Sequence, residues 1–424
     1  MSAPRKKYLI GKSEPFKFRP PKNSSFLIWS VKLILPLILR LALKVFAVEV
    51  KEEDLRRLKE LKGHRVVLTP SHSGGLEPFI LFHLSKVLGE EFNFLAAKSV
   101  FESFPFAGWL IQRLGIYSIV QGIPDKSSFR MTKQLLVEGK RRLVIFPEGY
   151  TCWQNDIVMP FQQGVAQLAF WAYEDLDKRG ELPPLYLVPI AIKYIYLRDM
   201  RNEIESSLQR LENKLFSLSK PKHLNLYNRL LRIGEAVLSA NEKEFNVHPN
   251  KDASLNERIQ HIKELIVSRV SHALGVSSLP EQPLLERIRY LLNTIDHIVY
   301  SESEPPEYVE HLLQKRQQEV RVLYDDLWQV LRFVALYEGY VGDTLTPERF
   351  LDVLGLFELE VFGRGRIWGP RKALVKLGEP INLKNYYLQY QTNKRDALRD
   401  VTTTLESSVG QMLAKLSHQS KPIE

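Results

Sequence analysis

Short apolar and β-branched runs recur along the chain, with helical patterns between them. The runs predict six strands, at residues 66–69, 93–97, 116–120, 143–146, 185–192 and 373–377. Apolar residues at helical spacing predict four helices between these strands, at residues 78–88, 100–113, 126–138 and 161–175. Alternating strands and helices predict an α/β fold, in which a mixed, largely parallel sheet is flanked by helices.

The pattern changes to almost continuous helix between residues 198 and 363, where charged and apolar residues alternate at helical spacing. A strand pattern returns at residues 371–378, so we expect a large helical insertion in the α/β domain. The predicted domains are an N-terminal tail with apolar helices (1–50), an α/β core (51–197), the helical insertion (198–363), and a late core strand with a C-terminal helix (364–424).

Residues 26–48 form a long apolar stretch that contains three basic residues. Lys32, Arg40 and Lys44 would fall within one third of the circumference of a helix, and Pro36 predicts a division into two shorter helices. A basic stripe opposite a broad apolar face is typical of helices that lie in a membrane interface. A packed core helix and a true span are the alternatives. The span is disfavoured because a charged side chain at mid-depth costs about 2.5 kcal/mol or more.

The chain carries a formal net charge of +10, which favours an acidic partner such as anionic lipid, an acidic carrier protein or nucleic acid. Nucleic acid is disfavoured because the sequence has no metal-binding Cys/His spacing and no RNA-binding signature. Cys152 is the single cysteine, so it excludes an intrachain disulfide and fits a reducing compartment.

One loop carries a histidine and a carboxylate five residues apart. After the strand at 66–69, residues 69–78 read Thr-Pro-Ser-His-Ser-Gly-Gly-Leu-Glu-Pro, and a helix follows. Loops at the carboxyl ends of strands are where α/β sheets bind ligands, and the two glycines let this one curl and bring Glu77 back to His72. A carboxylate on one imidazole nitrogen raises the basicity of the other, which can then deprotonate an alcohol. Taken alone, a loop histidine is more often a solvated residue without chemistry.

A second loop begins where the strand at 143–146 ends, in Phe-Pro-Glu-Gly-Tyr-Thr. By itself this is a common strand exit. The two loops together, in this order, resemble the glycerolipid acyltransferase family, which includes the lysophosphatidate (1-acylglycerol-3-phosphate) acyltransferases. That family has His-x4-Asp after a strand, a Gly-Ile strand, a Phe-Pro-Glu-Gly-Thr-Arg turn and a later Val-Pro strand. The corresponding positions here are His72 to Glu77, Gly115-Ile116, Phe146-Pro147-Glu148-Gly149 and Val188-Pro189.

The resemblance covers roughly residues 60–195, and residues 372–383 resemble the family's late strand. It implies that His72 is the general base and that Glu77 orients it. The substrate-binding residues that it implies are Lys98, Phe146, Pro147, Glu148, Gly149 and Thr151.

Three positions depart from the family pattern. Glu77 stands where the family has Asp, and Val120 or Gln121 and then Thr151 stand where it has the arginines that hold the acceptor's phosphate. Neither Gln nor Thr supplies the lost charge. We therefore expect a neutral or diester acceptor, unless basic residues elsewhere compensate. The candidates for that compensation are Lys98, Arg130, Arg141 and Arg142.

The sequence thus predicts an acyltransferase that moves a fatty acyl group from acyl-CoA or acyl carrier protein to the hydroxyl of a lipid-like acceptor. Lys98 or backbone N–H groups would stabilise the oxyanion. We expect an anionic membrane surface on the cytoplasmic face as a partner, and neither a metal nor a tightly bound cofactor. The alternative is a non-catalytic, membrane-docked lipid-binding or scaffold protein of the same fold.

Overall fold

The computed structural model describes residues 17–121, 124–216, 224–248, 252–277, 280–300, 307–333, 339–342 and 345–423. The strands are β1 Val45–Val50, β2 Arg65–Pro70, β3 Phe92–Ala97, β4 Ile116–Ile119, β5 Arg142–Val144, β6 Leu185–Tyr196, β7 Arg371–Leu377 and β8 Ile381–Asn382. The helices are α1 Ser25–Leu41, α2 Glu52–Glu60, α3 Glu77–Leu88, α4 Ala107–Arg113, α5 Lys126–Glu138, α6 Gly164–Asp177, α7 Arg201–Leu215, α8 Leu226–Glu244, α9 Leu255–Leu274, α10 Leu284–Tyr300, α11 Glu307–Phe333, α12 Gly339–Gly342, α13 Pro347–Phe362, α14 Lys384–Thr392 and α15 Lys394–Ser417. A 3-10 helix covers Lys98–Glu102.

All strands join one mixed sheet in the order β1-β7-β6-β2-β5-β3-β4, with β8 beside β6. Only the pairs of β6 with β7 and with β8 are antiparallel, so the predicted mixed, largely parallel sheet is confirmed. The six predicted strands are all present, and β1 and β8 were not predicted. In the central pair Leu68 of β2 lies opposite Val144 of β5, so the loops that follow these two strands leave the same edge of the sheet.

The sheet is covered by helices on both faces because its strands are apolar on both sides. Val67 faces a core formed with α5, α6, α14 and α15, whereas Val66 and Leu68 face a core formed with α1, α2 and α3. Each fully buried aliphatic side chain of this kind contributes about 1.5–3 kcal/mol. The two cores hold the carboxyl ends of the strands rigidly in place.

The predicted helix at residues 100–113 is wrong in its extent. The structure divides it into the 3-10 helix and α4, and Pro105 lies between them. Proline lacks an N–H donor and disfavours helical backbone in the residue before it, so one continuous helix cannot pass through this position. Helices α3, α5 and α6 agree with the prediction to within three residues at either end.

The N-terminal stretch also differs from its prediction. A single helix, α1, contains Pro36, since Ile28, Leu35 and Leu39 pack both halves on the same core. Residues 45–48 belong to β1, which pairs in parallel with β7, so the second predicted helix is wrong. No helix in the described ranges has the combination of length and apolar composition that crossing a bilayer requires.

The predicted basic stripe on this segment is wrong as well. Lys44 lies beyond the end of α1 with a φ of 56°, where the chain turns into β1. Lys32 is half-buried and donates to the carbonyl of Glu90 over 2.5 Å, so it serves the packing of α1 against the core. Burial lowers the pKa of Lys32, and Glu91 and Glu90 oppose that shift. Of the three basic residues, Arg40 is the one that lies on the exposed surface of α1.

Between β6 and β7 the secondary-structure elements of the described residues are all helices, from α7 to α13. Two apolar cores hold this segment together. One joins α7, α8, α12 and α13, and the other joins α8, α9, α10 and α11. The second core also contains Tyr150, Cys152 and Met159, which follow β5. The helical segment therefore packs directly on the loop that carries the second sequence motif.

Candidate active site

The first motif is a tight loop between β2 and α3. β2 ends at Pro70, and Glu77 is the first residue of α3, with Pro78 in the first helical turn. Gly75 has a φ of +77°, a conformation that glycine adopts without strain. This turn folds the chain back on itself, so that the fully buried Glu77 side chain lies beneath the loop that precedes it.

Four donors surround the Glu77 carboxylate. Its Oε2 lies 3.0 Å from Nδ1 of His72 and accepts the N–H of Gly75 at 2.8 Å. Its Oε1 accepts the N–H of Gly74 at 3.0 Å and the hydroxyl of Ser73 at 3.2 Å. Glu77 is thereby fixed within the loop, and the predicted pairing of His72 with Glu77 is present although Glu is one methylene longer than Asp.

The balance of charges at Glu77 determines which nitrogen of His72 carries a proton. Burial raises the pKa of Glu77, but the hydrogen bond and charge of His72, together with backbone N–H donors, outweigh it and lower the pKa below its usual value. An ionised carboxylate only accepts hydrogen bonds, so Nδ1 of His72 donates to it. Nε2 is left as the basic nitrogen, and the side chain of His72 is 18% exposed.

The second motif, the turn at residues 146–149, packs against the first. The ring of Phe146 lies against the His72 imidazole, with centroids 4.2 Å apart and a tilt of 31°. The carboxylate of Glu148 accepts the backbone N–H of His72 at 2.7 Å and that of Met159 at 3.0 Å. Burial raises the pKa of Glu148 to about 7, against these two hydrogen bonds. Phe146 and Glu148 therefore contact the histidine loop directly, in addition to any contact they make with substrate.

Gly149 makes the turn after Glu148 possible. Its φ is +78°, and a Cβ added there would collide with the side chain of Gln162. The carbonyl of Gly149 accepts the amide of Gln121 at 2.6 Å. Gln121, which with Val120 is one of the two candidates for the position of a family arginine, thus donates a hydrogen bond from its side chain to the motif turn.

Pro147 and Thr151 complete the turn. The carbonyl of Pro147 accepts the N–H of Gln162 at 2.8 Å. Thr151 lies beside the histidine loop, because a Cβ added at Gly75 would be 3.9 Å from its methyl group. The structure therefore brings together seven of the eight residues named from the sequence: His72, Glu77, Phe146, Pro147, Glu148, Gly149 and Thr151.

Lys98, the eighth residue, faces the helical segment. It is 9% exposed, and its ammonium lies 4.1 Å from the ring centroid of Tyr300 and 3.5 Å from a carboxylate oxygen of Glu102. Burial raises the pKa of Asp296 to about 7, and the charge of Lys98 opposes this shift. Lys98 therefore lies among groups of α10, which is about 190 residues away in the chain and has no local sequence pattern in common with it.

Two of the proposed compensating arginines lie at the wrong end of β5. Arg142 pairs with Glu90 at 2.6 Å and Arg141 with Glu91 at 3.1 Å. Both arginines are at the amino end of the strand, whereas the Phe146–Glu148 turn follows its carboxyl end. The hypothesis that they replace the missing phosphate-binding charge is wrong.

A residue that the sequence did not reveal holds the motif turn from the helical segment. Arg289 of α10 is 5% exposed and donates to the carbonyl of Glu148 at 2.9 Å and to that of Pro160 at 2.7 Å. It also pairs with Glu286 at 2.6 Å. Arg289 is 141 residues from Glu148 in the chain, so no local signal could have associated the two.

The described residues hold no group of three or more His, Cys, Asp or Glu side chains arranged to bind a metal ion.

A protein-family model matches the part of the chain that carries both loops. Residues 47–193 match the family model Acyltransferase, a span that runs from β1 into β6 and contains both loops. A search of curated proteins found no significant match to the chain. Residues 47–193 thus form an acyltransferase domain of the family that includes the 1-acylglycerol-3-phosphate acyltransferases. The protein is accordingly an enzyme, an acyltransferase.

Proposed function

We propose that the protein transfers a fatty acyl group from acyl-CoA or acyl carrier protein to the hydroxyl of a lipid-like acceptor, with His72 as the general base. The observation that supports this most strongly is the Nδ1 to Oε2 distance of 3.0 Å between His72 and the buried Glu77. The ionised Glu77 orients the imidazole and stabilises its charged form, so that Nε2 can take a proton.

The reaction then balances without a further reactant. Nε2 of His72 accepts the proton of the acceptor hydroxyl, and the oxygen attacks the thioester carbonyl carbon. The tetrahedral oxyanion is stabilised by backbone N–H groups of the loops. Lys98, the other donor predicted from the sequence, lies against Tyr300 of α10 instead. When it collapses, the C–S bond breaks and the thiolate takes the proton from the imidazolium, which yields an ester and a free thiol.

The acceptor that we propose lacks a phosphate monoester. Gln121 uses its amide on the carbonyl of Gly149, and Thr151 offers only a hydroxyl. Arg141 and Arg142 are paired at the far end of β5. Charge-assisted bonds of the kind made by the family's two arginines are worth about 1.5–3 kcal/mol each, so a neutral or diester acceptor fits these residues better than lysophosphatidate does.

We also propose that the enzyme docks on an anionic membrane surface at its cytoplasmic face. Exposed apolar side chains follow one side of α1: Phe26, Trp29, Leu33, Leu37 and Leu41. The chain entering α1 is bonded to the C-terminal end of α4, at Gln112 and Arg113, and Phe106 and Trp109 are exposed at the N-terminal end of the same helix. An apolar patch of this extent is typical of a membrane or protein contact. Phe106 and Trp109 lie in the connection that leaves the carboxyl end of β3, and β3 runs parallel to β5, so this connection starts at the same edge of the sheet as the second motif loop.

A non-catalytic protein with the same fold does not require a histidine paired with a buried carboxylate. The four donors on Glu77 and the N–H bond from His72 to Glu148 favour catalysis over that alternative.

Purified protein incubated with radiolabelled acyl-CoA or acyl carrier protein tests the function. The acceptor panel contains lysophosphatidate, lysophospholipid diesters and long-chain alcohols, and products are separated by chromatography. We expect label in an ester of a neutral or diester acceptor. A clear preference for lysophosphatidate would refute the proposed acceptor class, and no labelled ester with any acceptor would favour the scaffold alternative.

A further inference from the structure

Helix α10 contacts the connections that leave two neighbouring strands of the sheet. Near its start, Arg289 donates to the carbonyl of Glu148, in the turn that follows β5. At its end, the ring centroid of Tyr300 lies 4.1 Å from the ammonium of Lys98, which follows β3. β3 pairs in parallel with β5, so both contacts fall at the same edge of the sheet. α10 therefore runs past the carboxyl ends of both strands, beside the turn at residues 146–149.

Asp296 lies on the side of α10 that faces these two connections. It comes two helical turns after Arg289 and one turn before Tyr300, so the three side chains share one side of the helix. Burial and the charge of Asp296 both raise the pKa of Tyr150, the residue after the turn. The charge of Lys98 opposes the shift that burial causes in the pKa of Asp296. Asp296 thus lies close to the connection after β5 and to the one after β3.

The Asp296 carboxylate is buried without a hydrogen bond. It is 7% exposed, and within the part of the chain that the structure describes no group donates a hydrogen bond to it. The ammonium of Lys98 lies 3.5 Å from a carboxylate oxygen of Glu102. Burial without donors disfavours the charged form and raises the pKa of Asp296 to about 7. Carboxylates in such surroundings are found mainly at binding and catalytic sites, where a ligand supplies the missing donor.

We propose that Asp296 is a specificity-determining residue of the acyltransferase, which accepts a hydrogen bond from a second, non-reacting hydroxyl of the acceptor. The inference rests on the proposed function and narrows its acceptor class to lipids whose head group keeps a free hydroxyl. A hydroxyl donor satisfies the carboxylate, whereas an acceptor without one leaves it unsatisfied. A phosphate monoester at the same place would bring further negative charge to Asp296.

Three acceptors that differ at one carbon atom test the proposal. 1-Palmitoylglycerol has a hydroxyl at C3, 1-palmitoyl-1,2-propanediol has hydrogen there, and 1-palmitoyl lysophosphatidate has a phosphate. All three keep the same acyl chain and the same hydroxyl at C2. Equilibrium binding of each radiolabelled acceptor in detergent micelles is measured on folded His72→Ala protein, so that no turnover is needed. We expect the glycerol ester to bind about tenfold or more tightly than the other two, the usual effect of a hydrogen bond to a charged group.

Substitution of Asp296 in the same His72→Ala background should remove this preference. Asp296→Leu has a similar size and no hydrogen-bond acceptor, so it should bind the glycerol ester and the propanediol ester within about twofold of each other. Asp296→Asn keeps one carbonyl oxygen and should be intermediate. Glu281→Gln, which removes an exposed carboxylate just before α10, is the matched control and should keep the preference. Circular dichroism checks that each variant is folded, and the nearly isosteric Asp296→Asn decides if Asp296→Leu does not fold.

The proposal is wrong if the His72→Ala protein binds the glycerol and propanediol esters equally or not at all, or if it prefers lysophosphatidate. A folded Asp296→Leu protein that keeps the preference would also overturn it. Acyl transfer by the unmodified enzyme is measured separately with the same acceptors. A binding preference that depends on Asp296, with no ester formed from any acceptor, would contradict the proposed function but not this contact. Transfer that is unaffected by Asp296→Leu would contradict the contact but not the function.

Discussion

The backbone N–H of His72 donates to Oε1 of Glu148 over 2.7 Å, and this bond joins two motifs that are 76 residues apart. Because His72 also contacts Glu77 through Nδ1, its main chain and its side chain are each held by a buried carboxylate. The imidazole therefore has a fixed position and a fixed tautomer before any substrate binds. Such preorganisation is what a general base requires, since the proton must be taken in one geometry.

Glu77→Gln should reduce kcat by about 10²-fold or more, because a neutral amide cannot stabilise the imidazolium and can present a donor to Nδ1. Glu77→Asp is the more discriminating variant. The donors from Gly74 and Gly75 lie at 3.0 and 2.8 Å from the longer Glu side chain, so we expect the shorter one to lower kcat as well. Acyl-transfer rates at saturating donor measure both effects. Higher activity in Glu77→Asp would show that the loop is not adapted to Glu.

Glu148 should make stability depend on pH. Burial raises its pKa from 4.5 to about 7, so between these values the folded protein keeps a proton that the unfolded chain releases. Its contribution to the free energy of unfolding therefore falls as the pH rises through this window. A glutamine has no such proton, so the stability advantage of the unmodified protein over Glu148→Gln should shrink by about 3 kcal/mol between pH 4.5 and pH 8. Urea unfolding at several pH values measures it. A constant difference would contradict the raised pKa.

The sequence predicted the local parts of this site well. Six strands were found because their β-branched runs are buried on both faces of the sheet, and His72 and Glu77 were paired because five residues with two glycines form a closed loop. β1 was missed, since its apolar residues continue those of α1, and only pairing with β7, more than 300 residues later, makes them a strand. Arg289 could not be found for the same reason.

We expect Arg289 to act on the site as a positioning residue, through its hydrogen bond to the carbonyl of Glu148. Arg289→Met removes both carbonyl contacts and should let the motif turn move, so we expect kcat to fall at least tenfold while the KM of the acyl donor changes less than twofold. Arg289→Lys keeps the charge and one contact and should be intermediate. Arg269→Met, on the exposed surface of the adjoining α9, is the matched control. A change confined to thermal stability, with kcat intact, would mean that Arg289 is only structural.

The exposed apolar face of α1 should bind membranes. Trp29 and Leu33 are each 62% exposed, so Trp29→Glu and Leu33→Glu place charge on the face without entering the core. We expect each to reduce sedimentation with vesicles of anionic phospholipid severalfold, by loss of buried apolar area and by repulsion. Leu388→Glu, on α14 and 75% exposed, is the control. Equal vesicle binding by all three variants would contradict docking through α1. Deleting residues 1–48 is a poorer test, because it also removes most of β1 and the packed side of α1.

Acyl transfer by folded His72→Ala protein tests the proposed mechanism most directly. His64 is exposed at the opposite edge of the sheet, before β2, so His64→Ala is the matched control for loss of an imidazole. With labelled acyl-CoA and the best acceptor of the panel, we expect His64→Ala to retain normal turnover and His72→Ala to lose it by about 10²–10⁴-fold, the usual contribution of a general base. Turnover by folded His72→Ala within a few-fold of the unmodified enzyme would contradict the role of His72.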